Sequence, residues 1–239
     1  MPNDYFQFQQ FKVQQGGAAM KVCTDACIFG AWVAQLLTGK KGRLLDVGTG
    51  TGLLTLMVAQ TSQLQFDAID IDAGAVIQAK ENFSSSPWSD RLQVNQSDVR
   101  DCKAPFPYDY VISNPPFYEN DLPGEDPRRN AALHDSGLTL SALIACIPDL
   151  LKADGNWAVL LPYHRVDYFL ALSASAGWQV LQRLDVLNQA QQEPFRSCLW
   201  LGRTGEISAT ESLVIRSNDQ YTPAFRALLG SYYLAFAVD

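Results

Sequence analysis

The chain has 239 residues, 47% hydrophobic and 18% charged, which is enough apolar material for a sizeable core and too much for a disordered chain. Lysine and arginine total 18 against 25 aspartate and glutamate, a formal charge of −7, so bulk attraction to nucleic acid is not expected and any phosphate-binding surface must be local. Five cysteines, an odd count without CxxC spacing, point to neither a disulfide framework nor a metal site.

The opening MPNDYFQFQQFKV has no basic start followed by an apolar run, so no export signal is expected. No apolar stretch approaches the ~20 residues of a membrane helix, and the expectation is a cytoplasmic chain with no membrane partner. YFQFQQFKV (5–13) alternates aromatic and polar residues, and TDACIFGAWVAQLL (24–37) reads as a helix capped by Thr24. Order along the chain places this leading stretch across the sheet edge near a glycine loop. RLLDVG (43–48) is a short apolar run stopped by glycine, a buried strand. LLTLMVA (53–59) then carries apolar residues at helical spacing. FDAIDI (66–71) reads as a second strand, with Asp72 as the cap of a helix over AGAVIQAKENF (73–83). RLQVNQSD (91–98) and YDYVISN (108–114) are further strands, 140–151 an amphipathic helix, and NWAVLLP (156–162) a strand ended by proline.

Strand and helix in alternation imply parallel strands with helices on both faces. Beyond Pro162 no linker appears. A helix over 166–176, β-like runs at 178–187 and 197–204, and one more at 211–217 follow. YTPAFRALLGSYYLAF (221–236) predicts a helix with Thr222 as N-cap and Pro223 in the first helical position. One domain is expected, with 1–42 an N-terminal extension, 43–162 a cofactor-binding core, and 163–239 a terminal hairpin and helix.

The first chemistry lies in DVGTGTG (46–52), between a predicted strand and a predicted helix. Glycines 48, 50 and 52 permit a sharp turn and close backbone approach to a ligand. Asp70, 18 positions past Gly52, ends the next strand, where a carboxylate can accept hydrogen bonds from both hydroxyls of a ribose. The spacing suits an adenosine-containing cofactor. The loop reads GxGxG and follows Asp46, whereas a dinucleotide loop reads GxGxxG and faces pyrophosphate. A carboxylate is poor company for pyrophosphate and good company for an amine or a sulfonium, both of which S-adenosylmethionine carries. Asp98, after the third strand, is placed to accept from an adenine amino group.

The second lies in Ser113-Asn114-Pro115-Pro116-Phe117, at the end of the fourth strand, where open α/β sheets bind ligands. Methylating a planar amine requires its lone pair to be freed from conjugation. Asn114 can accept one amino hydrogen and the Pro115 carbonyl the other, with Pro116 restricting the backbone and Phe117 able to stack on the target ring.

DVGTGTG, the acid of AIDID and NPPF resemble the class I S-adenosylmethionine-dependent methyltransferases of exocyclic or amide nitrogens. MKVCTDACIFGAW (20–32), the aromatic start and the closing YTPAFRALLGSYYL extend the resemblance over nearly the whole chain, to the bacterial tRNA1(Val) adenine N6-methyltransferase family. The resemblance implies an α/β, Rossmann-like fold, a doubly wound, mostly parallel seven-stranded sheet with a terminal antiparallel hairpin and an N-terminal extension. It implies methylation of the adenosine just 3′ of the anticodon, with S-adenosylmethionine as cofactor and tRNA as partner. By the same resemblance, Lys21, Thr24 and Asp25 lie by the methionine end of the cofactor; Asp46, Gly48, Gly50 and Gly52 form its loop; and Asp70 with Ile71 and Asp98 take the adenosine. Asn114 to Phe117 hold the acceptor base. Arg128 and Arg129 match basic residues of the family's insertion, which here is acidic before it turns basic and has Leu133 where a second arginine is common. A glutamine-amide methyltransferase of release factors uses the same clamp but is expected to carry a long N-terminal helical domain. An rRNA amino-methyltransferase is the other alternative, and a non-catalytic RNA-binding scaffold the reading from a different class. Residues 1–43 hold five basic side chains against two acidic, so a basic face near the N-terminus is expected.

Overall fold

The computed structural model describes residues 4–16, 20–104, 106–116 and 138–237. Two short strands, β1 (Tyr5–Gln7) and β2 (Lys12–Gln14), form an antiparallel hairpin ahead of α1 (Thr24–Leu36). Then come β3 (Lys41–Val47), α2 (Leu53–Ala59), β4 (Gln63–Asp70), α3 (Ala73–Ser84), β5 (Leu92–Gln96) and β6 (Tyr108–Ser113). Next are α4 (Leu140–Leu150), β7 (Leu151–Pro162), α5 (Val166–Ser175), β8 (Gln179–Leu187), β9 (Arg196–Gly202) and β10 (Glu211–Val214). A small hairpin, β11 (Arg216–Ser217) and β12 (Gln220–Tyr221), leads into α6 (Pro223–Leu229).

The main sheet has eight strands in the order β10-β8-β9-β7-β6-β3-β4-β5, one more than the seven expected. The extra strand is β10, which pairs in parallel with β8 and extends the sheet by one edge. The predicted run 211–217 therefore divides. Four residues join the sheet, and after Ile215 the chain folds into the β11–β12 hairpin, whose turn residues Asn218 and Asp219 both adopt positive φ. Only β9 runs against its neighbours in this sheet. The strand expected at 156–162 begins at Leu151, and a register irregularity opposite Tyr108–Tyr110 accommodates the turn-like KADG within it.

Alternation along the strands divides the core between the two faces. Leu44, Ile112, Ala158, Leu160, Cys198 and Trp200 face α1, α2 and α6 in one cluster. Leu45, Val111, Trp157, Val159, Leu161 and Leu199 face α4 and α5 in the other. Trp32, Trp157, Trp178 and Trp200 are buried, as their apolar surroundings predict, and Trp88 is half-buried with its ring edge-on to Phe11. The five cysteines are free.

Asp72 and Thr222 cap α3 and α6 as expected, accepting from the backbone N–H of Ala75 and Phe225. Thr24 does not cap α1. Cys23 holds the extended cap position, and Thr24 is already helical, its side chain beside Tyr233 near the far end of the sequence. The aromatic start and the closing segment thus meet. Phe8 bridges Tyr233, the Gln9 N–H donates to Tyr232 O at 2.9 Å, and the Gln9 side chain donates to Gly230 O and Tyr233 O at 2.7 and 2.8 Å. This hairpin lies outside the main sheet, with β2 against α3.

The turn from β3 into α2 is set by packing as well as by the backbone. Gly52 has φ +81°, and a Cβ there would lie 2.4 Å from Cε1 of Phe83 on α3. Gly39 has a similar φ of +69° with nothing within 4 Å of its missing Cβ. Gly39→Ala is expected to cost about 1 kcal/mol of left-handed strain, and Gly52→Ala about 1–3 kcal/mol more from overpacking. Urea unfolding of the two variants reads the difference, and equal losses would show that Phe83 does not constrain the turn.

Candidate active site

Val47 pairs with Ile69 of β4 on one side and with Ser113 of β6 on the other. The next residue on each strand, Gly48, Asp70 and Asn114, therefore emerges level at the carboxyl edge. Between β3 and β6 the strand order reverses, and ligands of open α/β sheets bind in the crevice beyond such a point. Ser113 Oγ donates to Val47 O at 2.9 Å and fastens the two strands where they leave the sheet.

The loop is held from within. Asp46 is 0% exposed, and its Oδ2 accepts from Thr49 Oγ1 at 2.7 Å and Thr55 Oγ1 at 2.9 Å. Its Oδ1 is buried without a hydrogen-bond partner. Burial raises this carboxyl to about 6 against the pull of the two threonine hydroxyls. Gly48 and Gly50 have φ of +72° and +56° and open space where a Cβ would stand, so a ligand can lie against the backbone there. Gly52 belongs to the same turn but faces Phe83. Asp70 closes the loop, its Oδ2 accepting from Gly50 N at 2.8 Å and its Oδ1 from Asp72 N at 3.0 Å. Beside it Ile71 is 59% exposed, an apolar surface at the rim.

Asp98 lies two residues beyond β5 and is engaged by Arg100, whose Nε stands 3.0 Å from both carboxylate oxygens. The guanidinium holds its carboxyl below the ordinary value. Asn114 is half-buried, but its Oδ1 is fully covered and has no hydrogen-bond partner among the described residues. Pro115 is buried and Pro116 exposed. Phe117, Arg128 and Arg129 lie outside the described residues.

The N-terminal motif reaches the same edge through a contact that sequence spacing does not reveal. Asp25 Oδ2 accepts from Arg196 Nε at 2.8 Å, and Arg196 opens β9 opposite Pro162 at the carboxyl end of β7. Thr24 and Lys21 are both exposed. The expected basic face is not gathered at the site, because Lys41 and Arg43 begin β3, at the opposite edge of the sheet. Partners the sequence reading did not single out are Thr55, Arg100, Arg196 and, on α3, Asn82. The one available signal for Asn82 was an asparagine inside an otherwise well-formed helix.

A glycine cradle, an acid on the neighbouring strand and an unpaired amide oxygen at the strand-order reversal make this the rim of a methyltransferase. The methyltransferase small domain family model matches residues 30–165. The tRNA1(Val) (adenine(37)-N6)-methyltransferase of Dyadobacter fermentans is 38% identical, covering 98% of this chain and 99% of the relative. That of Cronobacter sakazakii is 36% identical over 96% and 94%. The chain belongs to this family of tRNA1(Val) (adenine(37)-N6)-methyltransferases. A predicted O-methyltransferase from Agrobacterium tumefaciens, 16% identical, superposes with a TM-score of 0.67 over 87% of this chain and 96% of that one, which shows the shared fold.

The buried Asp46 carboxyl has a measurable signature. Between its ordinary value of 3.8 and about 6, the folded chain binds a proton that the unfolded chain releases. Its contribution to stability therefore falls as pH rises through that window, by about 3 kcal/mol in all. Asp46→Asn removes the titration. The stability difference between wild type and variant, from urea melts at pH 4 and pH 7, is expected to move against the wild type as pH rises. A difference that does not change with pH would show that Asp46 titrates normally.

Proposed function

We propose that the chain methylates the exocyclic N6 amine of adenosine 37 in tRNA1(Val), with S-adenosylmethionine as donor, in the cytoplasm. The relatives' names support the substrate and favour it over a glutamine amide. The observation that carries the chemistry is the covered Oδ1 of Asn114 at the carboxyl end of β6, which has no hydrogen-bond partner among the described residues. Buried acceptors are ordinarily satisfied, and an amine hydrogen supplies what this one lacks. Among the described residues no helix is long and apolar enough to cross a membrane.

The residues present fit the donor. Gly48 and Gly50 leave room along the backbone, and Asp46 and Asp70 provide negative charge beside it. In this reading Asp70 takes the ribose, with Ile71 against the adenosine and Asp98 on its amino group once Arg100 yields. Lys21, Thr24 and Asp25 serve the methionine end. When bound, S-adenosylmethionine supplies an electrophilic methyl carbon on a positively charged sulfur.

The chain's own contribution is positioning. Asn114 Oδ1 accepts one hydrogen of the adenine amine and the Pro115 carbonyl accepts the other, which turns the lone pair out of conjugation with the ring. The paired prolines keep that carbonyl aimed. No strong base is called for, because an alkylated adenine amine is acidic enough to lose its proton to water. Orientation of this kind supplies most of the acceleration.

Nucleoside mass spectrometry of tRNA1(Val) from cells lacking the protein is expected to show N6-methyladenosine missing at position 37. Its persistence there would remove the proposed activity. Asn114→Ala is expected to lower methyl transfer by ~100- to 1,000-fold while S-adenosylhomocysteine affinity stays within about threefold. Undiminished transfer by this variant would discard the clamp.

A further inference from the structure

One buried polar side chain in contact with the glycine loop is left unused by this chemistry. Asn82, on the inner face of α3, is 1% exposed and uses its amide in three directions. Its Nδ2 donates to Thr51 O of the glycine loop at 2.8 Å and to Gln14 O of β2 at 2.9 Å. Its Oδ1 accepts from the Gln14 N–H at 2.8 Å. Both amide hydrogens are spent, and the side chain reads the N-terminal hairpin and the cofactor loop together.

The chain of contacts continues toward the N-terminal motif. Gln15, next to Gln14 and itself buried, accepts from the Val22 N–H at 2.9 Å through Oε1. Val22 adjoins Lys21 and lies three residues before Asp25, which is tied in turn to Arg196. From Thr51 through Asn82 to Gln14, and from the adjoining Gln15 to Val22, hydrogen bonds linked by the Gln14–Gln15 backbone thus run from the glycine loop to the residues expected at the methionine end.

We propose that Asn82 is a positioning residue that couples the glycine loop to the N-terminal segment, so that cofactor binding at Gly48 and Gly50 and the placement of Lys21 and Asp25 are fixed together. This rests on the cofactor reading given above. Asparagine suits the position because a planar amide offers an acceptor and two donors at once. Aspartate has the same shape but would set a carboxylate oxygen against the carbonyls of both Thr51 and Gln14, so Asn82→Asp cuts the link with little change in volume.

Peptide-level amide hydrogen exchange with and without S-adenosylhomocysteine tests this. In the wild type, protection is expected in the glycine loop and also in peptides spanning β2 and covering residues 20–25. In Asn82→Asp, S-adenosylhomocysteine is expected to bind about tenfold more weakly, to protect the loop, and no longer to protect the N-terminal peptides. In turnover, KM for S-adenosylmethionine is expected to rise more than kcat falls. A merely structural role would instead speed exchange throughout the chain and leave the pattern of ligand protection intact, which would overturn the coupling. Loop protection in the wild type without N-terminal protection overturns it as well, and that comparison decides alone if the variant does not fold. A wild-type chain that binds no S-adenosylhomocysteine overturns the cofactor reading, and the coupling with it.

Discussion

The double pairing of Val47, with Ile69 on one side and Ser113 on the other, is the constraint on which the site depends. Side chains alternate faces along a strand, so a one-residue slip in either pairing would exchange core for solvent along its whole length. Leu44 and Leu45 enforce the register from opposite faces, each buried in a different cluster. Asp70 and Asn114 therefore reach the rim level with the glycine loop, each about one strand spacing from it on opposite sides. Their relative placement follows from apolar burial below the rim.

Above that register the rim is rich in carboxylates, and most of them are committed. Asp70 holds the loop, Asp98 holds Arg100, and Asp25 holds Arg196. Among the described residues, the buried oxygens at this edge without a hydrogen-bond partner are the inner one of Asp46 and that of Asn114. The first is a carboxylate oxygen and the second an amide acceptor, properties that complement those of the proposed sulfonium donor and aromatic amine. The glycine-rich turn leaves the space above Gly48 and Gly50 free of side chains.

Much of this was legible in the sequence, for definite reasons. Continuous apolar runs stopped by glycine or proline located β3, β6 and the end of β7, and helical spacing located α2 and α3. Asp70 was found because strand and turn lengths in this fold fix its distance from the loop. Contacts between distant segments were not legible. Asp25 meets a partner 171 positions away, and Asn82 one 68 positions away, and nothing in local composition signals either. The cap of α1 was expected at Thr24, one position too late. A threonine before an apolar run ordinarily caps a helix, but here the helix includes Thr24 itself and Cys23 takes the cap position. The seven strands implied by the family resemblance are one short of the eight observed; the eighth, β10, falls in the run read at 211–217 as one more strand, of which only four residues join the sheet's edge before the chain continues into a separate hairpin.

The clasp between Phe8–Gln9 and Tyr232–Tyr233 joins parts of the chain that leave the ribosome far apart in time. The β1–β2 hairpin is made first, yet its aromatic side chains Phe6 and Phe8 find Tyr233 only after α6 has been translated. A two-stranded hairpin without such support is marginal in water. A nascent chain can thus complete the strands around the glycine turn, and set β2 against α3, while the aromatic side chains of its leading segment still lack Tyr233. Full closure of the hairpin's aromatic contacts is consequently a late event, scheduled by the emergence of the closing segment.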